Sequence, residues 1–544
     1  MSNITQTPCD KGVLSVTPPT ASGRPPSGMW VLVATILGSS MAFIDGSVVN
    51  VALPVLQVDL NATAADVQWV VEAYLLLLAS LVLLGGTLGD HFGRRRIFAI
   101  GIALFSLASV WCGLSPNIDS LILARAVQGI GAALLVPGSL AIISASFNTN
   151  QRGRAIGTWS GFTSITSAIG PVLGGGLVQY ASWRWVFFLN VPLAAIVLVI
   201  LFLHVPESRD ETVRGGLDWR GALLATIGLG AIVYALIEAG SLGILHPLVL
   251  SILAIGVIIF VAFILLEARI PNPMIPLTLF RSSSFSGANL LTLLLYAAMN
   301  GITFYLPFNL IQVQGYPPTL AGLALLPFVL IMFSLSRWAG GLVDHYGARL
   351  PLVVGPVIAA IGFALFAVPG IGGTYWLTFF PAVLVMGLGM TITVAPLTTV
   401  VMGSVAERHA GIASGINNAV ARTAGLLAIA VLGIVVVASF QNNLMSQLAH
   451  LPLPASVQQA IAAQGHKLAA IQLPGGINGE ARMQIKQAID EAFVASFRLA
   501  ALICSILGLL GACCSWFMIQ DTRKATTGKT GQKQQTSHEE TIDK

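Results

Sequence analysis

Fourteen apolar stretches, each close to the length of a bilayer-crossing helix, follow one another along this chain. They fall at roughly 30–54, 66–88, 97–114, 119–146, 154–179, 185–204, 219–239, 246–267, 286–311, 319–342, 351–369, 375–399, 410–438 and 495–518. A helix needs about 20 apolar residues to cross the hydrocarbon. Within lipid, every backbone N–H and C=O must find its partner inside the protein, which dictates helices for segments of this length. Of 544 residues only 9% are charged, against about 25% in soluble domains. The expected fold class is an all-α polytopic membrane protein.

An even number of spans puts both ends of the chain on one side, and the arginines choose which. Loops on the side of the N-terminus carry Arg94, Arg95, Arg96, Arg152, Arg154, Arg209, Arg214, Arg220, Arg269, Arg281, Arg349 and Arg408, while the short loops opposite carry only Arg184. The positive-inside bias therefore assigns both termini to the cytoplasm, in a multi-pass protein of an inner (plasma) membrane. Residues 1–28 are polar, with no early apolar run, so the first helix is expected to act as an uncleaved insertion signal. The tail 521–544 is polar and reads as disordered. Five cysteines show no metal-ligand spacing, and the four in apolar stretches read as small buried hydrophobes. Neither a zinc-protease helix, a nucleophile elbow nor a phosphate-binding glycine loop is present, so no enzyme, metal or cofactor is expected.

One turn is written twice. Gly86-Thr87-Leu88-Gly89-Asp90-His91-Phe92-Gly93-Arg94-Arg95 returns 254 residues later as Gly340-Gly341-Leu342-Val343-Asp344-His345-Tyr346-Gly347-Ala348-Arg349. The copies join helices two and three, and ten and eleven. Two homologous six-helix bundles, 29–205 and 285–520, follow if an inserted helix pair occupies 206–284. A long segment, 440–493, then lies on the outer side of the second bundle; its weakly amphipathic stretches 455–470 and 480–492 suggest short surface helices or a gating lid.

Three further stretches carry chemistry. Asp45 opens Asp45-Gly46-Ser47-Val48-Val49-Asn50-Val51-Ala52-Leu53-Pro54, among apolar neighbours that make a carboxylate costly. Arg125 heads Arg125-Ala126-Val127-Gln128-Gly129-Ile130-Gly131, roughly 9 Å into its helix. It can pair with Asp45 or with Glu72, or snorkel to the outer surface. Glu72 itself reads either as a partner in that pair or as an outer interfacial residue. Gly161 and Gly170-Pro171-Val172-Leu173-Gly174-Gly175 form a kinked stripe of small residues suited to close packing in lipid. Arg422 lies deep in the thirteenth stretch, Arg337 can snorkel, and Glu238 reads as interfacial. Tyr180, Trp183 and Trp185 read as an outer aromatic belt.

Together the four motifs resemble those of the fourteen-helix drug:proton antiporter family of the major facilitator superfamily, over about 30–520. The resemblance implies two six-helix bundles plus two inserted helices, and proton coupling through Asp45 and Arg125; Glu72, outside the family's shared motifs, joins that set because its place in the second stretch puts it at a depth comparable to Arg125. It implies a cytoplasmic gate at Gly86, Asp90, Gly93, Arg94 and Arg95, echoed more weakly by Asp344, Gly347 and Arg349 because Ala348 replaces an arginine. Gly161, Gly170, Pro171, Gly174 and Gly175 match the helix motif shared by antiporters, and Asn50, Gln128 and Arg422 are assigned to a central cavity. The implied function is proton-coupled efflux of small lipophilic or amphipathic compounds by alternating access; the alternative is proton-coupled uptake of a small metabolite. Implied partners are a small molecule, protons and lipid, without nucleic acid, and a periplasmic adaptor is left open.

Overall fold

The computed structural model describes residues 28–209, 218–270, 273–405, 410–474 and 479–520. The readings made of the N-terminal segment, the tail, Arg214 and Arg408 lie outside the described residues. The first bundle comprises α1 (Gly28–Asp59), α2 (Ala64–Phe92), α3 (Arg94–Leu114), α4 (Ile118–Ser146), α5 (Thr149–Tyr180) and α6 (Trp185–His204). Local chemistry sets its joints. Thr63 and Asp66 form a reciprocal capping box at the start of α2, and Asn117 caps α4 by accepting from the Ser120 N–H at 2.9 Å. Between α2 and α3 the chain reverses through a single residue, Gly93, at φ +109°, a backbone angle that favours glycine. The same device recurs at Gly347, φ +78°.

Close packing between α2 and α4 is backbone against backbone. A Cβ on Gly85 would run into the Ala133 carbonyl oxygen, and one on Gly129 would sit 2.5 Å from that of Tyr74. Gly86 does not share in this approach, since a Cβ there would meet only Pro137 at 3.6 Å.

Helices α7 (Trp219–Leu242) and α8 (Pro247–Glu267) pack on each other, with Gly228 fitted against Phe260. The second bundle comprises α9 (Ser283–Val313, its last turn a π-helix), α10 (Pro318–Gly340), α11 (Arg349–Leu365), α12 (Phe379–Gly403), α13 (Ala410–Ala449) and α14 (Gly479–Met518). The α7–α8 pair lies along the seam between the bundles. Val233 and Ile237 of α7 pack with Leu426 and Ala430 of α13 and with Trp69, Leu75 and Leu76 of α2. Among the described residues, twelve helices are long and apolar enough to cross a membrane. The remaining two, α5 and α11, are respectively rich in small polar residues and 17 residues long.

Several readings change. α13 runs on to Ala449, and 480–492 forms the first turns of α14 rather than a separate surface helix. Between them, Ala455–Ala462 and the 3-10 turn Gly465–Ala470 lie over the end of the first bundle: Lys467 Nζ donates to Asn61 Oδ1 at 2.6 Å and Gln57 Nε2 to the Lys467 carbonyl at 3.1 Å. Trp183 is not part of a lipid-facing belt. It is buried, and its indole N–H donates to Asp59 at 2.7 Å, whereas Tyr180 and Trp185 are exposed. Cys112 and Cys504 are buried as expected, but Cys513 is exposed and Cys514 half-buried, because α14 turns that face away from the bundle.

Candidate functional site

Midway along α1, Asp45 is fully buried, and three donors surround it. Arg125 Nη1 reaches Asp45 Oδ2 at 2.5 Å; Gln128 Nε2 and Asn190 Nδ2 donate to Oδ1 at 2.8 and 3.4 Å. The same Nη1 donates to Gln128 Oε1 at 2.6 Å, and Arg125 Nε to the Val70 carbonyl at 3.0 Å. Ser109 Oγ accepts from both Gln128 and Asn190, at 2.8 and 3.2 Å. The guanidinium carbon lies 4.3 Å from the centre of the Tyr74 ring, an attraction that strengthens away from water. α1, α2, α3, α4 and α6 are thereby drawn to one point, in which a carboxylate and a cation satisfy each other.

Arg125 is 1% exposed, so it does not snorkel. Of the two pairings left open, the one with Asp45 is formed. The sequence reading missed Asn190, Ser109 and Tyr74. Asn190, a lone amide between Leu189 and Val191 at the start of an apolar helix, was the available signal.

Arg125 has a second aspect. With Gly46, Asn50 and Tyr74 it lines a cavity of about 70 Å³ whose far wall is Asn300 and Phe304 of α9 and Ile429 of α13. The cavity is therefore shared by the two bundles. Asn50 lines this cavity, whereas Gln128 is buried inside the charge network, where both its amide atoms are engaged. Arg422 does not line this cavity; its Nε donates to Asn418 one turn earlier, at 3.2 Å.

Glu72 is fully buried, which overturns the interfacial reading, yet neither of its oxygens has a hydrogen-bond partner among the described residues. It faces the seam. One turn earlier, Gln68 Nε2 crosses to Tyr305 Oη of α9 at 3.0 Å; one turn later, Leu75 and Leu76 pack against α7 and α13.

The repeated turn is held within each bundle. Arg94 pairs with Asp90 at 2.8 Å, one turn away. The Arg95 backbone N–H donates to Glu207 at 2.9 Å, and its Nη1 to the Val205 carbonyl at 3.0 Å, just past the end of α6. Arg349 makes the corresponding contact in the second bundle, donating to the Trp516 carbonyl near the end of α14 and lying 4.4 Å from that indole ring's centre. Glu207, which also reaches Arg96 at 3.6 Å, was not foreseen. The side chain of Asp344 lies outside the described residues.

At the other end of the molecule α5 interlocks with α10. A Cβ on Gly175 would collide with the Pro318 carbonyl oxygen, and one on Gly322 with that of Pro171. Gly170 and Gly174 face Ser47 and Val48 of α1, so the glycine stripe touches both bundles. Gly161 does not share this role: nothing lies within 4 Å of a Cβ there, because α5 leaves its neighbours toward the arginine-bearing face.

The chain matches the family described as Major Facilitator Superfamily over residues 35–430. It is 36% identical over 439 residues to "Multidrug resistance protein Stp" of Mycobacterium tuberculosis (strain CDC 1551 / Oshkosh), covering 80% of each chain. It is 31% identical over 511 residues to "Tetracenomycin C resistance and export protein" of Streptomyces glaucescens, covering 92% of each. Its fold is similar to that of a bacterial homologue of the human lysosomal transporter Spinster in an inward-facing, occupied conformation: TM-score 0.67 and 17% identity, with 92% of this chain and 99% of that one aligned.

Proposed function

The chain belongs to the major facilitator superfamily, and on that premise we propose that it exports small lipophilic or amphipathic compounds across a plasma membrane in exchange for protons. Resistance and export proteins related to it over most of its length support the direction of transport. α5 and α11 complete fourteen spans in this reading, with both termini on the cytoplasmic side and the α5–α10 interlock closing the outer face.

One observation carries the reading: Arg125 holds Asp45 and also lines the cavity between the bundles. A compound entering that cavity meets the guanidinium that neutralises Asp45. A proton on Asp45 removes the charge that Arg125 balances, leaving the cation to find another partner in the cavity wall. Proton and compound therefore act on one pair, and each alters the free energy of binding the other by the same amount. Asp45, Arg125 and Glu72 form the proton-coupling set. The turns at Gly86–Arg95 and Gly340–Arg349 brace each bundle as a rigid body, so that motion is confined to the seam. Efflux by rocking of two rigid bundles requires that confinement.

At about 70 Å³ the shared cavity is far below the ~300 Å³ of ordinary ligand pockets, so compound binding widens it by parting α1 and α2 from α9 and α13. The test is expression in a strain stripped of its own pumps, followed by dye efflux with and without an uncoupler. Faster efflux that collapses with the proton gradient is expected; accumulation driven by the gradient would overturn the reading in favour of uptake.

A further inference from the structure

Among the described residues of the first bundle, Asp45 and Glu72 are both fully buried acids, and their surroundings are opposite. Asp45 has a cation and two amide donors. Glu72 has none. A carboxylate without donors in such a place bears the full cost of its desolvation, whereas Asp45 has three donors that offset that cost. From this contrast we infer that in the conformation with the outer face closed a proton resides on Glu72, making it a second proton-binding residue, while Asp45, whose own proton exchange belongs to other conformations, serves there as the counter-ion of Arg125. The inference rests on the proton-coupled export reading and assigns the proton within it.

Among the described residues, the charged groups on the elements around α2 are engaged elsewhere, and His466 lines a cavity with Gln68 and Gly433 on the outer side of Glu72. Arg125 of α4 is committed to Asp45, and Arg422 of α13 bonds Asn418. Tyr234 of α7 packs on Trp69, 6.0 Å between ring centres, and Glu238 of α7 bonds Ser241. Lys467, beside His466, reaches Asn61 at the outer end, and Arg94–Arg96 lie at the opposite end of α2. Tyr305 of α9 is set against Glu72 across the seam, and its hydroxyl accepts from Gln68.

The position supplies a route. Gln68 stands one turn nearer the outer end of α2, where it spans the seam to Tyr305 and packs against Gly433 of α13. Parting the outer ends of α2, α9 and α13 breaks those contacts and admits outer water to Glu72, which takes up a proton there as a carboxylate. Reclosure buries the resulting neutral acid without leaving a charge in the seam. An unprotonated Glu72 opposes reclosure, so the return step requires the proton.

The experiment uses the purified full-length chain in proteoliposomes, with ethidium as a cationic probe and Nile red as an uncharged one. Glu72→Gln should lose pH-gradient-driven transport of both dyes by roughly tenfold or more relative to wild type, within the usual range for a coupling between two sites. Counterflow of dye against dye, which needs no net proton movement, should fall much less. Glu72→Asp should restore gradient-driven transport in part. Gradient-driven transport by Glu72→Gln within about twofold of wild type overturns the inference. Loss for ethidium alone also overturns it, since Glu72 would then be a receptor for the cationic compound. A readout independent of transport is the infrared carbonyl band of a protonated carboxyl, present in wild type at neutral pH and diminished in Glu72→Gln. If wild type carries that Glu72-dependent band but moves neither dye, the export reading fails and the protonation of Glu72 stands; if the band is absent, the inference fails whatever is transported.

Discussion

Arg349 stands in the second bundle where Arg95 stands in the first: each reaches from the start of a third helix to a carbonyl at the end of that bundle's last helix. Each also lies near an aromatic ring of that last helix, Arg95 5.9 Å from the centre of Phe202 and Arg349 4.4 Å from Trp516. The planar guanidinium suits both tasks at once, and a lysine does not. Arg95→Lys and Arg349→Lys should each lower the melting temperature, with charged hydrogen bonds of this kind worth about 1.5–3 kcal/mol. Because the two lie in separate bundles, their effects should add in the double variant. Thermal unfolding in detergent checks this, and strong non-additivity would mean that the turns touch across the seam.

Asp45 and Arg125 are each costly to remove singly. Asp45→Asn leaves the guanidinium buried without its counter-charge, a change of about 3–5 kcal/mol in comparable pairs. Efflux should be abolished in Asp45→Asn and in Arg125→Gln, while Asp45→Asn combined with Arg125→Gln should recover thermal stability but not transport. Efflux by either single variant at wild-type rate would remove the pair from the mechanism.

Gly175 and Gly322 admit no side chain. A backbone oxygen of the facing helix occupies the place where each Cβ would stand, so Gly175→Val or Gly322→Val must push α5 and α10 apart, and overpacking of this kind costs about 1–3 kcal/mol. A cysteine placed at Gln179, whose side chain accepts from the Thr319 N–H at 3.3 Å across this contact, should then react faster with a membrane-impermeant maleimide added outside. Unchanged labelling would mean that the interlock does not close the outer face. Gly161→Val should be tolerated, since that position is open.

Phe304 closes the cavity from the second bundle opposite Asn50 and Arg125. Phe304→Ala should shift transport toward bulkier compounds, at a stability cost of about 3–5 kcal/mol for a buried aromatic ring. Asn50→Ala should weaken transport of the preferred compound while leaving the melting temperature nearly unchanged, because among the described residues the Asn50 amide makes only a long 3.5 Å bond to Gly46. Competition assays over a size-graded dye series measure both.

Most of the architecture was legible in the chain itself. Apolar runs near 20 residues leave the backbone no alternative to helix, and the Gly93 and Gly347 turns announce two bundles because only glycine takes that angle cheaply. Asp45, Arg125 and the α5 glycines could be picked out for the same reason: charge and bare backbone are both conspicuous in an apolar helix. What the sequence left undecided was partnership. Whether Arg125 would meet Asp45 or Glu72 depended on which faces of α1, α2 and α4 turn toward each other, and helix periodicity within one span says nothing about its rotation against another. The tertiary structure made that choice, enlisting Asn190 and Ser109 from distant stretches and leaving Glu72 in the seam without a hydrogen-bond partner among the described residues. Burial is a property that single residues advertise; the company a buried charge keeps exists only once the helices have packed.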